Sequence, residues 1–290
     1  MKSTIVLFFC FLITTNLHSQ ANDAEALLYN VSIGGVFGTI GSLINKKPQE
    51  KTGHVLLKGF AQGSFGGLIA FGGKSLLRET QRQEDWKYIW GAKILNAAGT
   101  SIKENAAMNR DFWEYWHINI GFNRIEFETK NKFQVHYKLM PIAFVYTVGA
   151  FTKVNFDINS SLKTGEFIFY SRSQFKNTNT TAVTLPGIIV YDKNVYEKIS
   201  TTDVDRYKII IHEIIHIYQS NDYSVLNTYY QKPLNRFAKK YKTINFMKNH
   251  INLDLHYIPL RASYLIENNN TNYYDNFFEH EAGYFSSTLR

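Results

Sequence analysis

Residues 209–219 read Ile209-Ile210-Ile211-His212-Glu213-Ile214-Ile215-His216-Ile217-Tyr218-Gln219. On a helix His212 and His216, four apart, project from one face, so two imidazoles can share one metal ion. Glu213 lies about 100° further round, where its carboxylate can reach a water on that ion without ligating it. This spacing suits hydrolysis. A zinc ion acidifies a water and polarises a carbonyl, while the glutamate takes the water's proton and passes it to the leaving amine. With 9 histidines and 14 glutamates in 290 residues, chance would give the pattern about 0.01 times per chain. The isoleucines on both sides make the helix apolar almost all round, which predicts burial. Buried imidazoles and a buried carboxylate are costly unless something satisfies them, and a metal ion does so. Ser200-Thr201-Thr202-Asp203 offers a capping-box-like start to this helix.

Catalytic zinc is expected to have three protein ligands. A histidine six residues beyond His216 is absent, because Asp222 stands there. Gln219 occupies the place where a turn glycine would be wanted, so an aspartate ligand at 222 has no helix break to serve it. The better candidates lie in Asp275-Asn276-Phe277-Phe278-Glu279-His280-Glu281-Ala282-Gly283-Tyr284-Phe285. On a helix Glu279 shares its face with Ala282 and Gly283, small residues that allow close approach to the histidine helix. Glu281 shares a face with Phe278 and Phe285, where a lone carboxylate needs a partner; it stays open as the alternative ligand. His280 reads as a polar residue satisfied by its neighbours.

This arrangement resembles the gluzincins, in which an HExxH helix is followed by a second helix that donates a glutamate. His212 to Gln219, followed by Glu279 to Phe285, is similar to minimal gluzincins with an E-x-x-A element, such as the ImmA/IrrE-type peptidases. The resemblance implies Glu279 as the third ligand, Glu213 as general base, Zn2+ as cofactor and a peptide or protein substrate. Gluzincins with an aspartate four residues after the ligand would need it at 283, where this chain has Gly283. In zincins an edge strand usually flanks the cleft, and Gly187 to Tyr191 is the strand the resemblance selects. Tyr218, His250, His256, Tyr257 and Arg261 are available as oxyanion partner. The resemblance covers the chain from roughly residue 187 onward.

Upstream the texture is different. Residues 26–45 carry no charge and include Gly34, Gly35, Gly38 and Gly41. Gly59, Gly63 and Gly67 recur every four residues, so they line one helical face and admit another backbone. Residues 26–77 could therefore form a tightly packed helical hairpin or associate with a membrane. Gln62, Ser64 and the 14 residues between Lys58 and Gly73 speak against a full span. Trp86 to Met108 predicts a further helix. Beyond Asp111 strands are expected over Ile118 to Glu128, Lys132 to Leu139, Phe144 to Phe151, Gly165 to Tyr170 and Gly187 to Tyr191, all paired antiparallel. Thr129-Lys130-Asn131 would make a hairpin turn, and residues 177–181 a polar loop.

Residues 1–19 read as a signal peptide, with Lys2, an apolar run from Thr4 to Ile13, then Thr14, Thr15 and Ser19. Cys10, the single cysteine, lies inside it, so a mature chain would have neither disulfide nor thiolate site. The formal charge is +8, but the basic residues are scattered, which excludes a nucleic-acid surface. The sequence thus predicts an α+β chain. It has a glycine-rich helical N-terminal region (20–110), then a zincin-like α+β domain (111–290) comprising an antiparallel β-rich part (111–195) and metal-binding helices (200–290). It is expected to be an exported zinc-dependent metallopeptidase, in the periplasm, outer envelope or secreted. The alternatives are a non-catalytic structural or interaction protein of the cell envelope and a hydrolase of envelope glycans or their peptide bridges.

Overall fold

The computed structural model describes residues 22–83, 85–173, 180–194, 197, 203–267 and 273–289. The expected signal peptide, Cys10, the capping-box start at Ser200 and most of the loop at 177–181 lie outside the described residues. The chain is α+β, with one three-stranded antiparallel sheet and one four-stranded mixed sheet. Helices α1 (Asp23–Ile44), α2 (Thr52–Gln83) and α3 (Lys87–Ala107) precede the first sheet, β1 (Tyr115–Ile120), β2 (Asn123–Glu128) and β3 (Gln134–Leu139). Helix α4 (Pro141–Lys153), strand β4 (Asn155–Phe156) and helix α5 (Ile158–Thr164) lead to β5 (Phe167–Ser171), β6 (Ala182–Leu185) and β7 (Ile188–Asp192). The histidine helix is α6 (Asp203–Tyr223); α7 (Gln231–Ala238), α8 (Lys242–His250), α9 (Tyr257–Glu267) and α10 (Phe277–Ser286) follow.

The glycine spacing does what it predicts. A Cβ on Gly63 would lie 2.2 Å from the Gly34 carbonyl oxygen, and one on Gly67 2.1 Å from that of Asn30. Helices α1 and α2 therefore touch backbone to backbone, and Gly66 and Gly99 bring α3 equally close to α2. Such contact leaves no room for a methyl group. Gly63→Ala should cost about 3 kcal/mol or more, from overpacking against immovable backbone. Gly72→Ala, on the same helix but with nothing within 4 Å of its Cβ, should instead stabilise by roughly 0.5–1 kcal/mol. Chemical denaturation of the two variants beside the parent checks the opposite signs.

The hydrophobic core does not divide at residue 110. One buried cluster joins Ala26, Leu77, Ile89 and Ala92 to Ile168, Ile189, Ile210, Ile211, Ile214, Ile215, Ala282 and Phe285. Charge is buried too. Arg124 pairs with Glu104 at 2.6 Å and Glu126 at 2.7 Å behind the first sheet. Burial alone would raise the Glu104 carboxyl, but Arg124 and His117 overcome that and hold it at about 2.

Four strand expectations need correction. Ile118 to Glu128 is two strands, turned at Gly121 with its positive φ. Phe144 to Phe151 is helical. Pro141 opens helix α4, where its missing N–H costs nothing, and the Asp254 carboxylate accepts the backbone N–H groups of Ile142 and Ala143. Pairing is not antiparallel throughout, because β5 and β7 run parallel. Strand β7 is interior, between β5 and β6, and its five residues are all buried. The edge strand beside the histidine helix is β6, whose outer side has no strand partner among the described residues. Phe133, just before β3, and Val135 and Tyr137 within it lie on one face, and all three are exposed.

Candidate metal centre

Helix α6 is buried as its isoleucines require: Ile210, Ile211, Ile214 and Ile215 are at most 1% exposed. It presents His212 and His216 on the side that faces α10. There Asn276 caps the helix, its side chain accepting from the backbone N–H groups of Phe278 and Glu279. That cap fixes Glu279 in the first turn, where the helix dipole favours a carboxylate. Ala282 joins the core with the α6 isoleucines, as a small residue at a close crossing should. Gly283 faces elsewhere, towards Leu289 and Tyr274.

The two Nε2 atoms stand 3.2 Å apart, and Glu279 Oε2 lies 3.1 Å from that of His212 and 3.4 Å from that of His216. A tetrahedral ion bonded to each at roughly 2.0–2.2 Å would space its ligand atoms about 3.3–3.6 Å apart. The triangle formed by this chain is close to one face of such a tetrahedron and slightly smaller, so the three residues could hold a metal ion. Burial alone would lower the His216 pKa. The Glu279 hydrogen bond and charge, helped by Glu213 and Gln219, reverse this and lift it to about 9. Burial would raise Glu279, but both imidazoles hold it far below the usual carboxylate range.

The two carboxylates part in space. Glu281, fully buried, accepts from Lys74 Nζ at 2.8 Å and from Gln219 Nε2 at 3.0 Å, and is not brought to the imidazoles. Its aromatic stripe did need a partner, and the partner is a lysine from the glycine-rich helix α2. Asp222 likewise faces Lys74 and Lys103, at 2.8 and 2.6 Å. The His280 ring lies 3.3 Å from the Tyr274 carbonyl oxygen.

Glu213 is buried, and its Oε2 accepts from Thr184 Oγ1 of strand β6 at 2.7 Å. The edge strand is thus attached to the candidate base. None of the five residues suggested as oxyanion partner is among those in contact with the cluster. Tyr218 and Tyr257 line a separate pocket with Asn96, His117 and Glu166. His256 pairs with Asn227, His250 turns back to the Phe246 carbonyl, and Arg261 stacks over Tyr264. Two tyrosines stand at the cluster instead. Tyr264 donates to Glu279 Oε1 at 2.6 Å, and the Tyr273 hydroxyl is 3.4 Å from His212 Nε2. The sequence carries no motif for either tyrosine or for Thr184. Gln219 was legible in principle, since it lies three residues beyond His216 on the same helical face and its Oε1 sits 2.8 Å from His216 Nδ1.

No protein-family model, no curated protein and no solved structure matches this chain.

Proposed function

We propose that the protein is an exported zinc-dependent metallopeptidase in which His212, His216 and Glu279 hold the ion and Glu213 is the general base. The observation that carries this reading is the triangle of Nε2, Nε2 and Oε2 atoms with sides of 3.1–3.4 Å, next to a carboxylate on the same helix. When bound there, zinc supplies an acidified water and a Lewis acid for the carbonyl. Glu213, oriented by Thr184, takes the proton of the attacking water and returns it to the leaving amine. Tyr264 holds Glu279 by its second oxygen, so the carboxylate presents the first to the imidazoles. Strand β6, an edge that leads to Glu213, offers backbone groups on which an extended peptide can lie.

The helices α1 and α2 are each long and apolar enough to cross a membrane. Leu57, Phe60, Phe65 and Leu68 point outward from α2. We propose membrane association through residues 26–77 on that basis, with the envelope as the setting.

One preparation tests the reading. Protein purified from its host without chelators should begin after Ser19 and carry about one zinc per chain. It should cleave a peptide mixture and lose that activity reversibly when zinc is stripped. An intact Met1 would overturn export. Absence of zinc would overturn the metal centre, and zinc without any cleavage would favour the non-catalytic envelope protein.

A further inference from the structure

Behind the cluster, on the side away from Glu279, runs a chain of buried polar contacts. His216 Nδ1 is 2.8 Å from Gln219 Oε1. Gln219 Nε2 donates to the Phe278 carbonyl at 2.8 Å and to Glu281 Oε2 at 3.0 Å. Glu281 Oε1 accepts from Lys74 Nζ at 2.8 Å, and Lys74 shares Asp222 with Lys103. Gln219 is 3% exposed, and Lys74 and Glu281 are both fully buried.

An amide can be turned end for end, but this one has a single satisfactory orientation. Reversed, its oxygen would face a carbonyl and a carboxylate, both acceptors, in a buried place where such a clash is costly. Glu281 and Phe278 therefore keep the oxygen of Gln219 towards His216. An oxygen at that place can only accept, so His216 must keep a proton on Nδ1, which leaves Nε2 as the nitrogen that can bind an ion. That is the tautomer a metal ligand needs. Helix α2 supplies Lys74, so the glycine-rich region anchors this assembly.

We infer that Gln219 is a positioning residue that fixes the tautomer of His216 for metal binding, with Glu281 and Lys74 holding Gln219 in its one useful orientation. The inference rests on the metal-site reading above. It also explains how this chain supports a ligand histidine although position 283 is glycine.

The test measures zinc affinity of the full chain by competition with a chelator, and the His216 Nδ1–H signal of the zinc-loaded protein by 15N NMR. Gln219→Leu should weaken zinc about 10–100-fold, the range for a lost partner of a ligand histidine, and should shift or abolish that signal. Gln219→Glu should also weaken zinc, because two buried carboxylates would then face each other. The exchanged pair Gln219→Glu with Glu281→Gln keeps an acceptor towards His216 and restores a donor between the two side chains, although the Phe278 carbonyl then faces a carboxylate oxygen, so it should recover part of the affinity. The exchanged pair also decides the matter if Gln219→Leu fails to fold. Wild-type affinity and an unchanged signal in folded Gln219→Leu, or an exchanged pair no better than Gln219→Glu alone, would overturn the inference. His216→Ala is the control for the underlying reading: if it binds zinc as the parent does, the metal centre itself is wrong.

Discussion

Glu213→Gln should retain zinc and lose hydrolysis, with kcat falling about 10²–10⁴-fold, the usual contribution of a positioned general base. The amide has the size of the carboxylate, and its oxygen can accept from Thr184 Oγ1, which lies 2.7 Å from Glu213 Oε2. Neither the packing of α6 nor its link to β6 has reason to change. What disappears is a group able to take a proton from the attacking water. The loss should therefore fall on kcat and leave KM nearly as it was, since the proposed docking of a peptide on β6 would use backbone groups and not the base. Steady-state kinetics on a peptide found in the cleavage screen, with zinc content measured on the same sample, checks both halves. A variant that turned over at the parental rate would remove Glu213 from the mechanism. Thr184→Val tests the support: the base stays, its orientation loosens, and a smaller drop in kcat is expected.

What the sequence made legible follows from which forces act locally. The HExxH helix and its burial could be read because a four-residue spacing and apolar flanks both lie within one element. The choice of Glu279 over Glu281 was half legible. Helical faces separated the two carboxylates, but the partner of Glu281 is Lys74, 207 positions earlier in the chain. The glycine stripes predicted close backbone contact correctly, because Gly59, Gly63 and Gly67 repeat with the helix.

The sheets were read least well, for a physical reason. Alternation puts Phe133, Val135 and Tyr137 on one face, yet that face is exposed. The inward face of the first sheet instead carries His117, Arg124 and Glu126, joined to Glu104 in a buried ion cluster. Hydrophobic period assigns the core side only when the core is apolar. The apolar run of helix α4 suits a strand as well as a helix, and the Asp254 carboxylate that caps it lies 111 residues or more away in sequence. The edge strand β6 is four residues long, next to a longer and more apolar β7 that drew the reading.

Removal of the Glu279 carboxylate should have the largest effect on the metal. Apparent zinc affinities of roughly 10–16 kcal/mol, divided among about four bonds, give each ligand about 2.5–4 kcal/mol, so Glu279→Ala should weaken zinc about 10²–10³-fold. Tyr264→Phe keeps that ligand and removes only the hydrogen bond to its other oxygen, so it should cost no more than about tenfold. The order of the two is the decisive result, and a Tyr264→Phe loss that equalled that of Glu279→Ala would remove Glu279 from the ligand set. Proton competition supplies an independent arm. Without metal His216 is held protonated up to about 9 by Glu279, so at neutral pH it must give up a proton before its Nε2 can bind an ion. Apparent zinc affinity should therefore rise about tenfold per pH unit from pH 7 to near 9 and then flatten. In Glu279→Ala the group that lifts His216 most is gone, its pKa falls although Glu213 and Gln219 remain, and the rise should end at a lower pH. A parent whose zinc affinity did not change between pH 7 and 9 would show that His216 is no ligand.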